Sequence, residues 1–135
     1  MNSVIKKNEK IIAWGLMVLI FIVIYFFSKQ HNSNYRKIIL KKPAFSEGYF
    51  IGLKVEKGKG LLAEYYFKIK DSIYYSSTFG SRCKLLGSHL YNRSFPVIYN
   101  IDDPNKCAIL LFKDDFDNYN LQFPDSLSWI MDFDK

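Results

Sequence analysis

The sequence predicts one N-terminal transmembrane helix followed by a small, mainly antiparallel β domain. That domain is a sheet or partly open barrel of about five strands with a short C-terminal helix. Two observations carry this. The apolar residues are concentrated in an uncharged run, IIAWGLMVLIFIVIYFF, over residues 11–27. Beyond residue 47 the pattern changes from continuously apolar to alternating, the signature of strands.

The apolar run comes first. At about 1.5 Å of rise per residue it covers roughly 25 Å of a hydrocarbon core about 30 Å thick. Lys10 and Lys29 lie just outside it, where their stems lengthen it by snorkelling, and Trp14 and Tyr25 take interfacial positions. A buried core helix keeps a polar stripe, and this run has none. A cleaved signal peptide fits the basic residues Lys6, Lys7 and Lys10. It does not fit Ser28-Lys29-Gln30-His31, which lacks a small-x-small cleavage site. The expectation is an uncleaved anchor at residues 11–28 between a basic tail at 1–10 and a basic connector at 29–47. Its partner is the lipid bilayer.

Orientation is balanced. Lys29, Arg36, Lys37, Lys41 and Lys42 follow the span, and Lys6, Lys7 and Lys10 precede it. The N-terminal lysines lie closer to the membrane, which favours a soluble domain outside the cytoplasm. The net charge of +6 says little about nucleic acid. Six aspartates fall within residues 114–134, so the basic excess lies elsewhere, much of it beside the span, and it matches anionic headgroups rather than nucleic acid.

The β domain is expected over residues 48–112. Tyr49, Ile51, Leu53 and Val55 alternate with Gly52, Lys54 and Glu56, and the turn Lys57-Gly58-Lys59-Gly60 follows. Leu61, Ala63, Tyr65, Phe67 and Ile69 then alternate with Glu64, Lys68 and Lys70. A third run, 73–79, is aromatic and β-branched. These three form a meander. Residues 80–93 read as a short helix or an excursion. Residues 95–100 form a fourth strand, placed at an edge by Pro96. After the turn Asp102-Asp103-Pro104-Asn105, residues 107–112 are apolar on both faces and read as a central strand. In the acidic, aromatic tail at 113–135, Asp125 or Ser126 caps a short helix carrying Leu127, Ile130 and Met131. The stretch Ile38-Ile39-Leu40 is expected to extend the connector as an amphipathic turn on the bilayer.

Residues with chemistry are few. His31 and His89 are far apart, and neither HExxH nor paired CxxC occurs, so no metal site, cofactor or catalytic residue is assigned. No GxSxG elbow is present. Cys83 and Cys107 are a candidate disulfide in an oxidising compartment and separate thiols in a reducing one. Tyr65-Tyr66-Phe67-Lys68 reads as a half-buried strand rather than a base-stacking surface. Phe116, Tyr119, Phe123 and Trp129, large side chains among carboxylates, are the candidate partner surface. The alternative is that they fold back over the sheet.

The succession of an N-terminal span, EYYFKIKDSIYYSS and FPVIYNIDDPNKCAILL resembles small bacterial membrane-anchored β domains of unknown function. In these a V-x-Y strand and an N/D-P turn precede an apolar strand. The likeness covers residues 48–112, with Pro104 and Asn105 in reversed order. It implies a β architecture in a bacterial envelope and no catalytic residue. The functional expectation is a membrane-tethered binding or accessory module with an envelope protein as partner. A membrane-anchored hydrolase using His89 with a Ser and an Asp, and an immunity-type envelope protein, are the alternatives.

Overall fold

The computed structural model describes residues 2–133, with the side chains of residues 2–11, 13, 31 and 32 outside the description. Lys6, Lys7, Lys10 and His31 are therefore outside it, as are Asp134 and Lys135. The chain divides into two compact units, Met1–Arg36 and Lys37–Lys135.

Helix α1 runs over Asn2–Lys41. Among the described residues it contains one stretch long and apolar enough to cross a membrane, Trp14–Lys41, whose most apolar 18 residues are not buried against protein. The segment expected as a connector at 29–47 continues this helix to Lys41. Residues 28–41 contain neither Pro nor Gly, and the helix stops next to Pro43, which disfavours helical backbone at the residue before it.

The second unit opens with the end of that helix. Ile39 is fully buried, so Ile38-Ile39-Leu40 contributes to the domain core instead of lying on a bilayer. The Asn100 side chain, itself buried, donates to the Ile38 carbonyl and accepts from the backbone N–H groups of Asp102 and Asp103. A buried amide left unpaired costs on the order of 1–3 kcal/mol, so these bonds hold the last helical turn against the strand end.

The sheet has five antiparallel strands in the order β3-β2-β1-β4-β5. They are β1 (Pro43–Glu56), β2 (Gly60–Ile69), β3 (Ser72–Phe79), β4 (Ser94–Asn100) and β5 (Cys107–Ile109). Three hairpin-connected strands with the fourth returning beside the first make a Greek key. The long β1 pairs with β4 through residues 43–49 and with β2 through residues 48–56, and the sheet curls into a half-barrel. This curled, five-stranded Greek-key sheet fixes a scaffold and no function. Where the two pairings overlap, a Cβ on Gly48 would lie 2.5 Å from Val97 Cγ2, so a larger residue would force β1 and β4 apart.

Inside the curl, Ala63, Tyr65, Phe67, Phe95 and Val97 are buried. Helix α2 (Gly80–Leu86) follows β3 directly. A Cβ on Gly80 would meet Leu61 Cγ and the Leu62 backbone at 2.9 Å, which is how the helix starts flush against β2. A 3₁₀ turn, Gly87–Leu90, completes the excursion, and helix α3 (Lys113–Asn118) and a 3₁₀ segment, Asp125–Asp132, close the chain.

Three expectations change. The register of β1 against β2 shifts between Phe50 and Gly52, a β-bulge that leaves Ile51 without a partner. Tyr49 and Leu53 consequently lie on opposite faces: Tyr49 pairs with Tyr66 and Leu53 with the buried Ala63. Next, β4 is interior to the sheet in spite of Pro96, whose carbonyl accepts from Leu110. Finally, β5 is the edge strand and only three residues long. Residues 109–112 are still buried, because packing from outside the sheet covers them; the Arg82 guanidinium sits 3.8 Å from the centre of the Phe112 ring.

Candidate functional site: the outward face of strands β1 to β3

The two faces of β2 separate the motif Tyr65-Tyr66-Phe67-Lys68. Tyr65 and Phe67 are buried inside the curl, and Lys68 is exposed outside it. Outward-facing Tyr66 pairs with Tyr49 on β1 and with Tyr75 on β3. The rings form one row across three strands. Tyr49 stacks on Tyr66 with centroids 5.5 Å apart and planes 25° apart, and Tyr66 meets Tyr75 at 6.2 Å and 45°. Tyr75, at the end of the row, is 69% exposed and its neighbour Ile73 is 48% exposed.

Charges flank this row on both sides. Lys68 and Glu64 stand two residues to either side of Tyr66 and so on its face. On β1, Glu47 lies on the Lys68 side, where its carboxylate accepts a 3.0 Å hydrogen bond from the Tyr49 hydroxyl. That bond, and then the carboxylate's charge, raise the Tyr49 phenol above its ordinary value, which keeps it a donor. On the other side Lys54 reaches Glu64 at 3.8 Å. A surface pair of this kind contributes at most about 1 kcal/mol.

Stacked rings turn their faces toward one another. That holds for Tyr49 and Tyr66, whereas the Tyr75 ring is tilted 45° from Tyr66 and 69% exposed. Base stacking needs open ring faces, which only the end of the row provides.

The residues singled out in the sequence lie elsewhere. Phe116 is buried and meets Phe123 edge to face at 5.3 Å, and Tyr119 and Trp129 are half-buried. The tail thus folds back on the domain. Trp129 packs against His89 at 5.9 Å and Phe133 at 6.2 Å, with the Arg93 guanidinium 4.7 Å from its ring centre. His89 also meets the Phe133 ring at 5.4 Å. Among the described residues it has no hydrogen bond to a Ser or Asp, the contact a hydrolytic triad requires.

Cys83 and Cys107 are both buried thiols. Cys83 on α2 donates to the Phe79 carbonyl at 3.5 Å, and Cys107 on β5 shares a 3.6 Å hydrogen bond with the Tyr65 hydroxyl. Burial, reinforced by the Asp115 carboxylate, pushes the Cys83 thiol up to about 11, although Arg82 opposes the shift. It therefore stays protonated at neutral pH, the reverse of an activated nucleophile. Asp115 accepts from the backbone N–H groups of Leu111 at 3.1 Å and Phe112 at 2.9 Å, which fixes the entry to α3. Burial raises its carboxyl above the usual value, and the two backbone bonds pull the other way. Arg82 meets Asp114 through both carboxylate oxygens at 2.9 and 2.8 Å. Among the described residues no three His, Cys, Asp or Glu side chains gather as a metal site.

The sequence reading missed the tyrosine row. Its three members were visible as strand residues, but their alignment depends on the registers of two hairpins and on the bulge. No family model, curated protein or solved structure matches this chain.

Proposed function

We propose that this protein is a membrane-tethered binding module that engages a protein partner through the outward face of β1, β2 and β3. The tyrosine row carries the proposal. Tyr49, Tyr66 and Tyr75 form a row that ends on an exposed ring, on a sheet whose other face already holds the core. An aromatic surface of that kind on a small domain marks an interaction site, since tyrosine is enriched where proteins meet. No motif or activated group argues for catalysis.

The tether is the apolar part of α1. A helix that is apolar all round and unburied by protein is stable in lipid and unfavourable in water. Residues 11–28 thus cross a cell membrane once. The lysines packed close before the span favour a cytoplasmic N-terminus and a domain facing the envelope.

The test is a photoreactive amino acid at Tyr75 of the full chain in native membranes, with Lys84 on α2 as the control site. The expected result is a discrete cross-linked product from position 75 and none from 84. Equal, diffuse labelling from both positions would remove the outward face as a docking surface. Protease accessibility of a C-terminal tag in intact against permeabilised cells fixes the side of the membrane.

A further inference from the structure

Resting on that reading, we infer that the partner on the tyrosine face is a second copy of this chain, related by a two-fold axis that runs along the tyrosine row. The charge pattern around the row leads to this partner. On one side lie Glu47 of β1 and Lys68 of β2; on the other lie Lys54 of β1, reaching back to Glu64, and Glu64 of β2. Each strand thus carries opposite charges on its two sides, and the two strands carry them in opposite order.

A two-fold axis along the row keeps each strand over its counterpart and exchanges the sides. Lys68 then faces the partner copy's Glu64 and Glu64 faces its Lys68, while Glu47 comes over the partner's Gly52, two residues from the Lys54 that reaches back toward Glu64. No like charges oppose one another. A two-fold parallel to the strands sets Lys68 against its own kind when it lies on β2 and opposite the charge-free β3 when it lies between β2 and β3. One between β1 and β2 pairs Lys68 with Glu47 but takes Tyr75 off the partner's tyrosine row. The positions match in distance as well. Lys68 and Glu64 are each two residues from Tyr66, about 7 Å along the strand. Strand β3, which ends the row, has no charged residue between Ser72 and Phe79, so it brings no repulsion.

Packing agrees with this arrangement. The axis leaves the strands of the two sheets nearly aligned, as in face-to-face sheets about 10 Å apart. Tyr75 meets Tyr75 of the second copy. The face has on the order of 500 Å² per copy, or about 1,000 Å² for the pair, near the lower limit for a specific interface. Confinement of both copies to one bilayer raises their effective concentration and favours so small an interface.

The experiment uses the full chain in phosphatidylcholine vesicles, with Tyr75→Cys as a cross-linking reporter; both native thiols are buried. The inference expects a dimer joined through position 75 by a short bis-maleimide, which adds to both thiols without an oxidant and spans sheets too far apart for a disulfide. Adding Lys68→Glu or Glu64→Lys alone should lower its yield about tenfold, because either change sets like charges against each other twice per dimer. Combining the two should restore it. Rescue by the double exchange identifies the pair that meets across the axis, and circular dichroism of each single variant checks that it is folded. Absence of a dimer in vesicles, or failure of the double exchange to restore it, overturns the inference. A discrete cross-link from position 75 to a different protein in native membranes, with no dimer in vesicles, leaves the binding-module reading standing and removes the second copy. No cross-link in either setting removes both.

Discussion

Aromatic side chains of this domain end in two opposite environments. Phe116 and Phe123 of the C-terminal tail are large residues set among aspartates, yet they pack edge to face and Phe116 is almost fully buried. Tyr49, Tyr66 and Tyr75 belong to well-formed strands, yet they line the outside of the sheet. Composition would place them the other way round. What separates them is pairing: a strand residue's face is set by its register, and a tail residue is free to follow its apolar area into whatever cleft the sheet leaves uncovered.

Removing one ring from each group breaks this contrast most directly. Phe116→Ala should destabilise the domain by about 3–5 kcal/mol, because it deletes a buried ring that its neighbours cannot replace. Denaturant unfolding of the full chain in detergent measures it. A loss below about 1 kcal/mol would mean that the tail adds little to the fold.

The acidic residue that fixes the entry to α3 tests the tail differently. The Asp115 carboxyl is raised by burial, so its neutral form suits the fold better than its ionised form. Its contribution to stability is complete below the unfolded carboxyl value and is lost as pH rises through the higher folded value. Asp115→Asn keeps an oxygen for the Leu111 and Phe112 N–H groups and cannot ionise. The difference in stability, variant minus wild type, should therefore grow as pH rises through the carboxylate range. A difference that shrinks as pH rises would show that the backbone bonds to the carboxylate outweigh its burial.

Beneath the tail, the Cys83 thiol should alkylate slowly. With its value pushed up to about 11, the folded chain at pH 8 should react with iodoacetamide at least about tenfold more slowly than the denatured chain. Equal rates would indicate that α2 opens readily. The smallest stability effect belongs to the exposed group. Tyr75→Ala should change stability by no more than about 0.5 kcal/mol while weakening partner capture from the outward face, which Tyr49 and Tyr66 still hold. A large loss of stability would make the row part of the core's support instead of a docking surface.

Much of the fold can be read from the residues. The alternation of Ala63, Tyr65 and Phe67 with Glu64 and Lys68 identifies β2 and its buried face, because a side-chain period of two is a local property. The helical cap of the tail is legible for the same reason: Leu127 and Ile130 are buried and Met131 stays half in solvent. The outward site was not legible. Tyr49 was aligned with Leu53 and Val55 by simple alternation, and the bulge at Ile51 reverses that alignment. A bulge is stabilised by the partner strand and by the curl of the whole sheet, so no local pattern announces it.

The sequence by itself determined the uncharged helix, the strand count and the tail's apolar positions, since each follows from hydrophobic runs and periods within a few residues. Tertiary structure alone decided that β4 lies inside the sheet and β5 at its edge, that Ile39 of the helix belongs to the domain core, and that three tyrosines from three strands stand in one row. Those outcomes depend on pairings between residues far apart in the chain, where the free energy of closing the barrel outweighs the local preference of any one segment.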